Sequence, residues 1–416
     1  MGKTSSDRVK KRRVFYIPGY DPIHPRRYRE LYRKEGAAQG AVSGYEIGLK
    51  PKPTGAHYGW SVAARIDGVD VQAEVDVLVW SDIVRDSMDS SIPATYLQLI
   101  RTAWVYIGSG ALWRLMKLRK GPVIAALYPV GMLLLQLGLA AALGLAVFQM
   151  TMMVLVVLLS LSLPIVVVGG AGLALGLGAA FALLRWFKKL DGKFYAYYLM
   201  HDYSYSAGAN GANPPELEAR IAVFTDAIAQ ALQEDVQEVL VVGHSSGAHL
   251  GVSILADLIR QGRVPASGPT LSFLSLGQVV PMVSFLPEAH RLRGDLRYLS
   301  ACGELTWVDV TAPGDGCSFA LCDPVAVSGV APKGKQWPLV FSAAFTQTLS
   351  PERWKELRWR FFRLHFQYLC AFDRPKDYDY FQITAGPLTL AERYGARPPS
   401  RSRILRAESK YTSVCA

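Results

Sequence analysis

From Gly121 to Leu184 the chain carries no charged residue at all. One membrane span needs about 20 apolar residues, so this stretch holds enough for more than one. Two helices are expected, near 123–147 and 153–184, with the second broken at Pro164 or around Gly169-Gly170. Gln149 and Thr151 suit a short turn between them. Outside this stretch the pattern is that of a globular protein. Val14 to Ile17, Tyr45 to Leu49, Tyr58 to Ile66 and Val69 to Trp80 are β-rich, and Asp67-Gly68 signals a hairpin between the last two. Residues 25–35 read as a helix, and residues 93–118 as a longer one leading into the apolar stretch. Beyond that stretch, residues 191–213 read as a loop.

Leu217, Ile221, Phe224, Ile228 and Leu232 then mark a helix with one buried stripe. Asn213 can cap it and Pro214 suits its first turn. Val239 to Val242 has the composition of a strand buried on both faces. It runs straight into Gly243-His-Ser245-Ser-Gly247, after which Ala248, Val252, Leu255 and Ile259 recur at helical spacing, with Gly262 placed to stop the helix. A glycine-flanked serine between a buried strand and a helix has the layout of a nucleophile elbow, with its hydroxyl at the carboxyl end of the strand, where parallel sheets bind ligands. Further strands are expected at Leu271 to Leu276 and Leu305 to Val310. Helices are expected at 284–299 and 352–371. The Pro-, Arg- and Ser-rich tail after Ala396 reads as disordered.

Composition adds a location. Half the residues are hydrophobic and the net charge is +11. Arg114, Lys117, Arg119 and Lys120 precede the apolar stretch, and Arg185, Lys188 and Lys189 follow it. Basic residues near both ends predict that both flanks are cytoplasmic. An even number of crossings is also what the elbow needs, since its partners lie on both flanks. The charge is then accounted for by anionic lipid, and no nucleic-acid module is visible. The five cysteines (302, 317, 322, 370 and 415) show no disulfide or Cys-x-x-Cys spacing and fit free thiols. Nothing has convincing metal spacing, and there is no phosphate loop or dinucleotide fingerprint, so no cofactor and no metal are expected.

A serine hydroxyl needs a base, and the base needs a carboxylate to fix its tautomer. Beyond the elbow helix the chain has only His290 and His365. His290 sits in a charged stretch ahead of the best acid and reads as a surface residue. His365, flanked by aromatic residues, is the candidate base. Asp315, in a Gly-Asp-Gly turn past a strand end, ranks first as the acid. Asp309, within the strand, ranks second, and Asp323 also competes. The oxyanion donors are expected to be the amides of Ser246, after the nucleophile, and of Tyr20, in the Pro18-Gly19-Tyr20 loop. His244 reads as packing beside the serine.

Together, Gly243-His-Ser245-Ser-Gly247, the early Pro18-Gly19-Tyr20 loop, Asp315 and His365 resemble the α/β-hydrolase superfamily on its lipase and esterase side. The resemblance implies an α/β fold: a mostly parallel sheet flanked by helices, interrupted here by a two-helix transmembrane hairpin. The divisions are 1–121 and 186–396 for the two parts of a catalytic domain, 122–185 for the hairpin and 397–416 for the tail. It also implies a serine ester hydrolase with Ser245 as nucleophile; the membrane anchor, by its placement, adds membrane lipids as partners and favours a lipid or acyl ester as substrate. Acyl transfer by the same triad, or a non-catalytic membrane scaffold on the same fold, are the alternatives. The sequence departs from the family pattern in lacking a His-Gly before the oxyanion loop, in the inserted hairpin and in the run around Asp315.

Overall fold

A computed structural model describes residues 8–21, 24–52, 57–80, 82–83, 91–158 and 164–415. The chain forms two compact units, one of residues 1–86, 105–123 and 209–416, the other of residues 87–104 and 124–208.

The first unit is built on one eight-stranded sheet, in the order β2-β3-β4-β1-β5-β6-β7-β8. The strands are β1 (Lys11–Ile17), β2 (Glu46–Pro51), β3 (Gly59–Ile66), β4 (Val69–Val77), β5 (Glu238–His244), β6 (Thr270–Leu276), β7 (Leu305–Thr311) and β8 (Leu339–Ser342). From β4 to β8 every pairing is parallel, while β2, β3 and β4 form an antiparallel edge. The expected Asp67-Gly68 hairpin joins β3 to β4, with both turn residues at positive φ. Every residue of β5 is buried, as its unbroken apolar run requires of a strand covered on both faces.

The topology fixes where a site can form. After β1 the chain builds β2 to β4 on one side of it, and after β5 it builds β6 to β8 on the other. The carboxyl ends of β1 and β5 therefore flank the point where strand order reverses, the usual ligand crevice of such sheets.

Several local expectations are corrected. The segment expected as one helix over 93–118 is two, Ile92–Gly108 and Ala111–Leu118, because Gly110 adopts a left-handed conformation between them. Asn213 does not cap the helix Pro215–Ala231; its amide donates to the Glu218 side chain. The helix expected over 352–371 is broken into Pro351–Leu357, Phe361–His365 and a 3₁₀ turn, Phe366–Leu369. The tail after Ala396 is not disordered. Its backbone bonds Ser400 to Val340, Ile404 to Leu321 and Asp323, and Glu408 to Val327, so buried carbonyls near β8 and after β7 are satisfied by the tail.

Two helices are long and apolar enough to cross a membrane, Lys120–Val156, which lies in the second unit from residue 124 on, and Ile165–Lys189. The first runs through Gln149 and Thr151, where a turn was expected; residues 159–163, between the two helices in the chain, lie outside the described residues. Thr151 stays helical by returning its hydroxyl to the Val147 carbonyl. Leu133, Gln136, Ala140 and Gly144 form the buried stripe of the first helix; Val168, Gly172 and Gly176 form that of the second. A Cβ on Gly144 would fall 2.9 Å from the Gly176 carbonyl oxygen. Small residues let the two backbones approach, as membrane helices pack. The outward faces expose Leu134, Leu135, Leu145, Leu173 and Leu177. Residues 191–213, expected as a loop, hold the short helix Asp191–Phe194 and the helix Ala196–Gly208.

Candidate active site at the strand ends

β5 lies between β1 and β6, and its last residue, His244, delivers the chain into a sharp turn. Ser245 has φ of 57°. A serine in this region costs about 1–3 kcal/mol, and such strain persists where the surroundings impose it. Two glycines make the turn. A Cβ on Gly243 would lie 2.8 Å from the Gly247 carbonyl oxygen, and one on Gly247 would lie 2.2 Å from the carbonyl oxygen of Ile17. The helix Gly247–Arg260 therefore starts directly against the exit of β1. The Ser245 amide is anchored to the Leu276 carbonyl at the end of β6, at 2.9 Å.

The Pro18-Gly19-Tyr20 loop meets this turn. A Cβ on Gly19 would stand 3.0 Å from the Ser245 Cβ and 3.4 Å from its Oγ, so this loop passes beside the hydroxyl. The Tyr20 amide, expected as an oxyanion donor, donates instead to Ser246 Oγ at 2.7 Å. In this structure that hydrogen bond occupies the amide. The Ser246 amide lies ahead of the first turn of the helix, where amides lack intrahelical acceptors.

Asp315 and His365, 50 residues apart, are brought together: His365 Nδ1–H donates to Asp315 Oδ2 at 2.8 Å. Asp315 Oδ2 also accepts from the Tyr368 hydroxyl at 3.0 Å, and its Oδ1 from the Cys317 amide at 2.9 Å. Burial opposes the carboxylate's charge, but the His365 ring and these hydrogen bonds outweigh it and hold Asp315 below its ordinary value. The carboxylate thus fixes the imidazole with its proton on Nδ1, leaving the Nε2 lone pair free. His365 Nε2 is buried and has no hydrogen-bond partner among the described residues, so Ser245 is not bonded to it in this structure. The two groups share walls, however. His365 Cε1 would lie 3.0 Å from a Cβ on Gly277, the residue after the Leu276 that holds the Ser245 amide.

His244 is more than packing. Its Nε2 donates to the His365 carbonyl at 3.1 Å and its Nδ1 faces the Tyr16 hydroxyl at 3.4 Å. Burial, with the neighbouring His365, pushes it down to about 3. It is a neutral strut between β5 and the His365 segment. Tyr368 is the residue that sequence reasoning missed. Its hydroxyl bridges the Asp315 carboxylate and the Ala312 amide. The one available signal was its place three residues after His365.

Asp309, the second-ranked acid, is set apart. It lies inside β7 and accepts from Ser275 Oγ at 2.6 Å. Burial pushes its carboxyl up to about 8, so it is mostly protonated at neutral pH. Asp323 caps the turn Pro324–Val327 and pairs with Lys335. His290 pairs with Glu288, as a surface histidine would. Asp315, Cys317 and His365 place ligand atoms within 4.8 Å of one another. A cation there would have to displace the His365 proton from Asp315. It would also need a thiolate from Cys317, whose thiol burial and the Asp315 charge push well above its ordinary value.

Compared with known proteins, the chain matches no family model, no curated protein and no solved structure at a significant level. What the site can do is therefore read from its own chemistry: a hydroxyl held in a strained turn, an oriented imidazole with an open acceptor, and a buried carboxylate, all past the carboxyl ends of the central strands.

Proposed function

We propose that this protein is a serine hydrolase of the α/β-hydrolase type, anchored by two membrane-crossing helices, that cleaves a carboxylic ester through an acyl-enzyme. The observation that carries the reading is the pairing of Asp315 with His365, whose ring lies 4.9 Å from that of His244, the residue before Ser245, and whose Nε2 has no partner among the described residues. Ser245 Oγ attacks the ester carbonyl, and His365 Nε2 takes its proton and returns it to the leaving alkoxide. Asp315 keeps the imidazole in the required tautomer and stabilises the imidazolium. The Ser246 amide, and the Tyr20 amide once Ser246 Oγ turns away, face the developing oxyanion.

The apolar hairpin, with basic residues at both ends, supports a cytoplasmic site held near the membrane, which favours lipid or acyl esters. A series of p-nitrophenyl esters of increasing chain length tests the activity. Turnover by wild type and its loss in Ser245→Ala are expected. No turnover at any chain length by a folded protein favours a scaffold on the same fold. Product analysis with added alcohols separates hydrolysis from acyl transfer.

A further inference from the structure

The sequence Arg358-Trp359-Arg360-Phe361-Phe362-Arg363 lies just ahead of His365, and all six of its residues are exposed. Trp359 is 72% exposed. Three aromatic rings and three guanidiniums facing outward are an unusual choice for a soluble surface, which seldom presents large apolar groups together. The segment's own ion pairing is thin: Arg360 and Arg363 share one carboxylate, Glu356, and Arg358 lies over the Trp359 ring.

Within the sheet unit it lies close to the start of the long apolar helix. The Phe361 ring stands 3.1 Å from where a Cβ on Gly316 would be, and the Gly316 carbonyl oxygen stands 3.2 Å from a Cβ on Gly121. Gly121 belongs to the same compact unit and is the second residue of the long apolar helix. The exposed aromatic patch is therefore two contacts from the point where the chain leaves for its apolar stretch. Arg119, just before it, is tied to the Ala320 carbonyl at 2.8 Å. Trp and Arg side by side are residues that anchor proteins in a headgroup layer.

We infer that Arg358–Arg363 is a membrane-docking surface that inserts its aromatic residues into the interface of an anionic bilayer, with the arginines on lipid phosphates. This rests on the apolar helices crossing a membrane, and not on the ester chemistry. By holding the segment that carries His365 in the headgroup layer, it would set the base of the site at the lipid surface.

The test uses the full-length protein in nanodiscs of phosphatidylcholine mixed with phosphatidylglycerol, in a Cys415→Ser background. Nitroxides are placed by Trp359→Cys, by Leu145→Cys on the apolar helix, and by Val42→Cys on an exposed helix of the sheet unit, with the unsubstituted background as blank. The expected result is that labels at 359 and 145 collide with oxygen in preference to a water-soluble nickel complex, while the label at 42 does the reverse. Replacing Arg358, Arg360 and Arg363 with Gln is expected to reduce docking on anionic discs by about fivefold per arginine. A label at 359 as accessible to nickel as that at 42, with 145 still protected, overturns the docking surface alone. A nickel-accessible label at 145 overturns the membrane reading and the docking with it. A label at 359 shielded from both reagents indicates a protein partner and overturns the lipid assignment. None of these readouts depends on esterase activity.

Discussion

The two ends of the same central strands are built on opposite rules. At the amino ends of β1 and β5, Arg12 and Glu238 form a fully buried ion pair in which the charge is answered on every side. Arg12 also donates to the carbonyls of Gly386 and Leu388, and Glu238 accepts from Ser272 Oγ and the Leu390 amide. At the carboxyl ends, Ser245 is held at positive φ, and His365 Nε2 is buried with no partner among the described residues. A closed hydrogen-bond network marks a place where the chain is fastened, while a strained residue and an unsatisfied buried nitrogen mark the end at which the proposed chemistry would act.

That contrast can be broken most severely at the open end. His365→Ala is expected to lower kcat by about 10⁶, the scale seen when a triad member is deleted, with a stability loss of only about 1–3 kcal/mol, because Asp315 keeps its Tyr368 and Cys317 donors. Steady-state kinetics with melting of the same sample checks both halves. At the closed end the effects should reverse. Arg12→Met leaves Glu238 charged and buried, and should cost about 3–5 kcal/mol of stability with little change in kcat per folded molecule. If kcat fell instead, the amino end would belong to the site.

Asp309 sharpens the comparison by pH. Its folded value, raised to about 8, lies above its ordinary carboxyl value. Its contribution is therefore complete below the unfolded value and is lost as pH rises toward 8, with a slope of at most about 1.4 kcal/mol per pH unit. Asp309→Asn should flatten the decline in melting temperature between pH 5 and 8, roughly the window that the raised value sets. An unchanged slope would show that Asp309 is not the group responsible. Tyr368→Phe is expected to give the smallest effect. It removes one hydrogen bond to a charged carboxylate, worth about 1.5–3 kcal/mol in general, and should lower kcat by roughly tenfold through misplacement of Asp315, with the pH optimum shifting. A pure stability loss at unchanged kcat would remove it from the site.

Sequence pattern reached some of this and not the rest, for physical reasons. The elbow was legible because strand, glycines and helix are contiguous, and close approach at Gly243 and Gly247 permits no side chain. Asp315 and His365 were found from chain order, although only the fold shows their 2.8 Å contact. The apolar stretch announced two helices, yet its turn was misplaced because Gln149 and Thr151 are polar residues that a helix accommodates. Non-local pairings stayed hidden. Nothing near Ser400, Ile404 or Glu408 reveals that distant carbonyls need them. No local pattern tells that the Tyr20 amide would be taken by Ser246. Strand order was likewise invisible, since β1 sits beside both β4 and β5 only after the whole sheet has formed.

The central claim is that Ser245 is a nucleophile activated by His365. It is tested most directly by treating the full-length protein with a fluorophosphonate and locating the adduct by peptide mass spectrometry. One phosphonylated residue is expected, Ser245, with labelling absent in Ser245→Ala and greatly slowed in His365→Ala. Equal labelling of wild type and Ser245→Ala, or an adduct on another residue, would contradict it.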